Sequence, residues 1–329
     1  MGNLRASILA CAVLFASLGV IGCGGSGEND SSSSESVSSA PPASDFPATR
    51  HRSLKLVVQD MRQGPQLAPS VSVLTPGRER FGFGLFDQGN RQIADVEVAL
   101  YFARGLDETA RGPIPARYEA IDVKPAYRSK TTTQDADSAR GLYVAELPFR
   151  GAGTYLVVGV ARLGGQLGAT SPAQVKVAAE TDVPSPGDRA IRVHTPTKSD
   201  VGGNLKKIDT RVPPDDMHDV DLADALDEHR PAVLLFATPA LCKSRVCAPV
   251  TDVAEQVHRE LGDEVVFIHQ EVYRDNDPGK GLNPQLRGWH LRSEPFAFAI
   301  DSDGIVAERL EGAFSVAELE AAARRATKR

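Results

Sequence analysis

Between residues 50 and 180 the chain alternates apolar and polar positions in short runs. Residues 54–58 (LKLVV), 80–86 (RFGFGLF), 96–102 (VEVALYF), 141–147 (GLYVAEL), 153–160 (GTYLVVGV) and 174–177 (QVKV) repeat with a period near two. In 80–86 this puts Phe81, Phe83 and Leu85 on one face. Gly, Pro, Asn and Asp separate the runs, as at 87–90 (DQGN). Such runs predict strands, and this many strands without a long helical window predict an antiparallel β-sandwich over 50–180. The stretch 104–139 is long and polar, and it predicts a mobile loop.

Beyond a Pro-, Gly- and charge-rich stretch at 181–204, which predicts a linker, the period changes. Residues 205–208 predict a short strand. In 220–228, Leu222, Ala225 and Leu226 fall at helical spacing. The apolar run 232–237 predicts a buried strand. Val250, Val253, Ala254, Val257 and Leu261 then recur at helical spacing up to a capping Gly262. A strand at 264–268, an irregular or helical region at 281–292, a strand at 294–300 opening with Pro295, a turn at 301–304 and a hairpin partner at 305–310 follow. A last helix, 315–325, has Ser315 as N-cap and Glu318 at the capping-box position. The order β-α-β-α-β-α-β-β-α predicts one α/β domain over 205–329.

The first residues carry a different pattern. Residues 1–5 hold one Arg, and 6–20 are apolar but too short for a comfortable membrane span. They end in Val20-Ile21-Gly22-Cys23, which resembles a bacterial lipoprotein box. The resemblance implies a signal peptide over 1–22, a lipidated N-terminus at Cys23 and a place on the outer face of a cell membrane. Residues 23–49 are dominated by Ser, Gly, Pro and acidic groups, so they predict a flexible tether. Net charge is −6 and no basic stripe is present, which argues against nucleic acid as a partner. Of four cysteines two lie in the first 23 residues, so one pair, Cys242 and Cys247, belongs to the folded part. One pair is too few for a disulfide-stapled scaffold.

That pair sits where chemistry is expected. An apolar strand leads into a short loop with both cysteines, and a helix begins behind them. A helix N-terminus offers free N–H groups and the positive end of the dipole, which favour thiolate over thiol. Lys243 and Arg245 add positive charge. With four residues between them, the sulfurs of an unbroken helix would stand about 140° apart. A bond needs Cα atoms within about 7 Å. The pair therefore closes only if Cys242 lies in the loop and Cys247 in or just before the first turn.

The segments VLLFATP, SEPFAFAIDSDG and EGAFSVAELEAAARRA, in this order over 205–329, resemble the thioredoxin superfamily, in particular its extracytoplasmic TlpA/ResA-like and peroxiredoxin-like members. GLYVAELPF and AGTYLVVGVAR resemble the last strands of an immunoglobulin-like domain. The expected fold class is thus two domains, an all-β immunoglobulin-like sandwich followed by an α/β thioredoxin-like domain. The resemblance implies a thiol–disulfide oxidoreductase that meets exported cysteine-containing proteins and a redox partner, with Cys242 attacking and Cys247 resolving. It also implies that Pro295 is a cis-proline against the thiols, keeping backbone polar groups ready for an extended peptide. The chain departs from the family's Cys-x-x-Cys motif, and three readings of CKSRVC stand side by side: a reversible redox pair, a permanent structural bridge in a binding or scaffold lipoprotein, and a metal site. Glu294 stands where metal-carrying relatives have a His, and no peroxidatic motif is present; the expectation is of no metal and no cofactor. His258 is expected to be solvated, His269 and Glu271 to have surface roles, and Trp289 to pack in the core or rim.

Overall fold

A computed structural model describes residues 39–328. The signal-peptide and Cys23 readings, and much of the tether, lie outside the described residues. Among those described, no helix is long and apolar enough to cross a membrane.

Helix α1 (Leu54–Val58) follows a 3-10 turn over Ala43–Asp45 and stands where alternation had predicted a strand. Ser53 caps it through the Leu56 N–H, and Leu54 and Val57, three apart, are its buried residues. The two valines at its end are what made the segment resemble a strand. Strands β1 (Arg62–Gln63), β2 (Gln66–Pro69), β3 (Gly77–Phe86), β4 (Val98–Ala103), β5 (Arg111–Ala120), β6 (Gly141–Phe149), β7 (Gly153–Leu163), β8 (Gln166–Ala169) and β9 (Ala173–Val177) follow. They form one nine-stranded sheet in the order β1-β8-β7-β4-β5-β6-β3-β2, with β9 also on β7. A short helix α2 (Lys130–Gln134) lies between β5 and β6.

This sheet overturns the expected fold class. The immunoglobulin-like sandwich needs two facing sheets, and the molecule instead has one curled sheet; it is mostly sheet and 22% helical. The cause is β5, which lies within the polar stretch read as a mobile loop. Its first half pairs with β4 (Leu100 opposite Ile114) and its second half with β6 (Tyr118 opposite Tyr143), so it joins what would have been two sheets. Pro113 and Pro115 and the charged neighbours hide it from a strand template. The curl brings Leu74, just beyond β2, into a bridge with Val177 of β9. Phe81, Phe83, Leu85, Val98, Leu100, Phe102, Tyr143 and Tyr155 fill the concave face. The alternate residues Ala99, Tyr101 and Ala103 of β4 pack against Leu54 and Val57 of α1 on the other face.

The second sheet has four strands, β10 (Ala232–Phe236), β11 (Val266–Gln270), β12 (Phe296–Ile300) and β13 (Val306–Glu311), in the order β11-β10-β12-β13. β10 and β11 are parallel, and β12 and β13 complete the sheet antiparallel. The predicted strand at 205–208 is a 3-10 turn over Leu205–Lys207, so among the described residues this sheet has four strands and the five-stranded α/β order expected for 205–329 does not form. Helix α3 (Leu222–Asp227) precedes β10, α4 (Cys247–Leu261) crosses to β11, α5 (Pro284–Gly288) lies before β12, and α6 (Val316–Ala326) ends the chain. β10, β11 and β12 are buried along their length, as continuous apolar runs require. Trp289 is fully buried against Phe236 and Phe298. Residues 187–190 run beside β13, with Val306 donating to the Asp188 carbonyl and Ala190 to that of Gly304.

The described residues 39–328 fall within one compact unit, and the two sheets share a core. Leu142 and Val144 of β6, with Ile121 and Val123 just beyond β5, pack with Val250, Val253 and Val257 of α4 and Leu319 of α6. Polar contacts fix the same joint. Arg80 of β3 forks onto Glu318 of α6 at 2.8 and 2.7 Å and donates to the Ala313 carbonyl. Glu318 was expected to complete a capping box; Ser315 does cap its N–H, but the carboxylate goes to Arg80 and Arg117. Glu311 accepts from the Ser72 and Val73 N–H groups. At Gly312, with φ of +72°, a Cβ would overlap the Ser70 carbonyl, so only glycine lets the two backbones approach.

Candidate functional site

The site forms where β10 ends. Cys242 lies in the loop after β10 and is half-buried, and Cys247 is the first residue of α4 and fully buried. This is the placement that a bond between them requires. Cys242 is held as thiolate, with its pKa pulled down to about 5. The largest cause is a hydrogen bond from the Cys247 thiol. Burial opposes it, and the Ser244 hydroxyl and the N–H groups of Cys247 and Ser244 assist. The Ser244 hydroxyl lies 3.1 Å from Cys242 Sγ. Neither Lys243 nor Arg245 is among the main causes, and Arg245 turns to Asp137, 2.5 Å away. Cys247 is driven well above the ordinary thiol value by burial, and then by the neighbouring Cys242. One sulfur is thus poised to attack and the other to keep its proton.

Glu294 completes the group, with a carboxylate oxygen within 4.8 Å of both sulfurs. Burial first, and then the charges at Cys242 and Glu271, together raise its pKa to about 7. The two thiols and this carboxyl would also suit a soft metal ion. Pro295 is buried and follows Glu294 through a cis peptide bond. Its carbonyl already accepts from the Gly312 N–H at 2.9 Å, so that oxygen is engaged within the protein.

Neighbouring segments hold the loop. The Ala139 N–H donates to the Arg245 carbonyl, so the connection between β5 and β6 closes over the cysteines. Glu271 is buried rather than at the surface; it accepts from the Thr210 N–H and hydroxyl, and Thr210 in turn accepts from the Ala240 N–H. Asp252 of α4 is fully buried and accepts from Ser129, Thr132 and Arg211. With the 122–139 and 209–217 segments on its outer side, α4 is buried from Cys247 through Val257, beyond the stripe its sequence predicted. His258, expected to be solvated, packs on the Phe267 ring, and burial lowers its pKa.

Two clefts flank the loop. One of about 330 Å3 is lined by Cys242, Pro239, Arg245, Thr131 and Gln134. A larger one of about 1020 Å3 runs from Lys243, Ser244 and Glu294 to Gln66–Pro69 of β2, the last strand of the large sheet.

His269, also expected at the surface, is buried in a second polar group with Asp209, Asp215 and His218. Burial disfavours its charge, but Asp215, 2.8 Å from Nδ1, and then Asp209 and Glu271 outweigh this and push its pKa up to about 10. Sequence reading passed over Asp209, Asp215 and His218; the signal is acids and a His within ten residues of a Pro-containing stretch, DTRVPPDDMH.

No protein-family model and no curated protein matches the chain. Among solved structures it is similar to a thiol:disulfide interchange protein, described as a thioredoxin family protein, from Chlorobium tepidum TLS. The two are 14% identical, the match covers 46% of this chain and 99% of that one, and the TM-score is 0.29. At that TM-score the likeness carries no argument, and the reading of the site rests on its own residues.

Proposed function

We propose that this protein is a thiol–disulfide oxidoreductase held by a lipid on Cys23 at the outer face of a cell membrane, acting on exported cysteine-containing proteins. The observation that carries the reading is the unequal pair: a thiolate at Cys242, stabilised by the thiol of a buried Cys247 at the head of a helix. Anchoring is supported by the VIGC sequence and the Ser-rich stretch behind it.

The Cys242 thiolate attacks one sulfur of a substrate disulfide. The Cys242–substrate bond forms, the substrate S–S bond breaks, and the leaving thiolate takes a proton from solvent. Cys247 then passes its proton to Glu294 and attacks Cys242 Sγ, releasing the second substrate thiolate. The substrate gains two electrons and the protein is left with a Cys242–Cys247 bond, which a redox partner reduces; run backwards, the steps oxidise a dithiol. β2 offers a strand edge along the large cleft, which suits an extended substrate segment.

The full burial of Cys247 supports a second reading, a permanent bridge that pins the loop. Replacing Cys247 with Ser separates the two. A redox enzyme then accumulates mixed disulfides through Cys242, visible on non-reducing gels of cell envelopes, and Cys242→Ser abolishes them. A Cys242–Cys247 bond that resists reduction across the glutathione range, with no adducts, establishes the structural bridge instead. Cys23→Ser should move the protein from membranes to a soluble fraction; retention after a carbonate wash refutes the lipid anchor.

A further inference from the structure

The second buried polar group is built from two imidazoles and two carboxylates. Asp209, Asp215 and His218 come from one segment that contains neither helix nor strand, and His269 comes from β11. One donor atom from each residue lies within 4.8 Å of all the others. His218 is 2% exposed, and neither of its ring nitrogens has a hydrogen-bond partner. A buried imidazole that faces two carboxylates without an aligned hydrogen bond to either calls for an explanation. Its Nε2 points at the group, 3.3 Å from Asp215 Oδ1 and 3.5 Å from Asp209 Oδ2. Zinc with bonds of about 2.0–2.1 Å to N and O donors sets its tetrahedron edges at about 3.3–3.4 Å. His269 Nδ1 lies 2.8 Å from Asp215 Oδ2 and 3.9 Å from Asp209 Oδ1, and its Nε2 is 3.2 Å from the Ala237 carbonyl, an outer partner of the kind that orients a ligating histidine. Asp209 also accepts from the Arg211 and Asp215 N–H groups, and Asp215 from that of Met217, so both carboxylates are held in place.

We propose that Asp209, Asp215, His218 and His269 form a closed, four-ligand site for a divalent transition-metal ion, with zinc the best match. Two carboxylates balance the charge of the ion, and both imidazoles bind in the neutral form, releasing any proton they carry to solvent. The ion satisfies His218 Nε2 and staples the 209–218 segment to β11. With no position left open to water, its role is structural. The same segment contacts the cysteine loop through Thr210 and Ala240, so the staple also steadies that loop.

The test uses the full chain with all four cysteines replaced by Ser, so that no sulfur donor remains and the result does not depend on the thiol reading. After chelation and refilling with zinc, gel filtration followed by elemental analysis should find one zinc per chain, and the melting temperature should rise with free zinc. His218→Gln and Asp209→Asn should each weaken binding at least tenfold. Cobalt in place of zinc should give the intense visible absorption of a tetrahedral N/O site in the parent protein, a readout that stands even if a ligand variant fails to fold. A folded parent that binds no zinc, shows no such cobalt band, or binds equally well as His218→Gln overturns the site.

Discussion

The two sheets bury their polar groups in opposite ways. At the margin of the nine-stranded sheet, Arg80, Arg117, Glu119, Ser315 and Glu318 close on one another, and each has a partner. Around the ends of β10 and β11 in the four-stranded sheet, the groups are left open: a thiolate whose best donor is another thiol, a carboxyl before β12 that titrates near neutrality, and a histidine of the 209–218 segment that faces two carboxylates without an aligned hydrogen bond. A closed network rigidifies; an open one has capacity for a substrate, a proton or an ion. The large sheet therefore supplies the walls, and the small one the chemistry.

Breaking the closed network should have the largest effect. Arg80→Ala removes the two-pronged partner of Glu318, leaves it only the longer Arg117 contact at 3.2 Å, and should cost about 3 kcal/mol in urea unfolding. Replacing both partners, Arg80→Met with Glu318→Leu, should recover most of that loss; no recovery would mean that Arg80 acts chiefly through the Ala313 and Glu311 carbonyls. Asp252→Asn comes next. It keeps the shape but weakens the acceptor shared by Ser129, Thr132 and Arg211, and should cost about 1–3 kcal/mol in the same measurement.

The open site responds in reactivity. Alkylation of Cys242 against pH should turn over near 5, with Cys247 silent to well above 9. Cys247→Ala removes the main donor and should raise the midpoint by about tenfold in ionisation constant. A midpoint already near the ordinary value of 9.0 in the unmutated protein would take away the basis of the redox reading. The sign for stability follows. Because the Cys242 pKa is depressed on folding, the reduced protein gains stability as pH rises between about 5 and 9.0, and loses it as pH falls through 5. The oxidised protein lacks this dependence, so the difference in melting temperature between the two forms should change across that window. Ser244→Ala should move the alkylation midpoint in the same direction as Cys247→Ala and by less, since it removes a smaller contribution.

The sequence determined most of the strands, because alternation such as Phe81, Phe83, Leu85 needs only local side-chain direction to be read. It determined the long helix behind the cysteines, the Ser315 cap and the chemistry available in CKSRVC for the same reason. Tertiary structure decided what those elements became. β5 carries two prolines and is a strand only because β4 and β6 accept it from either side, which makes one curled sheet of what alternation predicted as two. Leu54–Val58 became a helix because Ser53 capped it and the back of β4 offered a surface to its i, i+3 pair. Lys243 and Arg245 looked like the charges that activate a thiol, yet the fold turned Arg245 to Asp137 and gave the work to Ser244 and Cys247. Asp209, Asp215 and His218 were unremarked along the chain, since only the packing of their segment against β11 brings His269 to them. Local periodicity is written in neighbours along the sequence, whereas a site is made by groups that meet across it, and that meeting is set by packing.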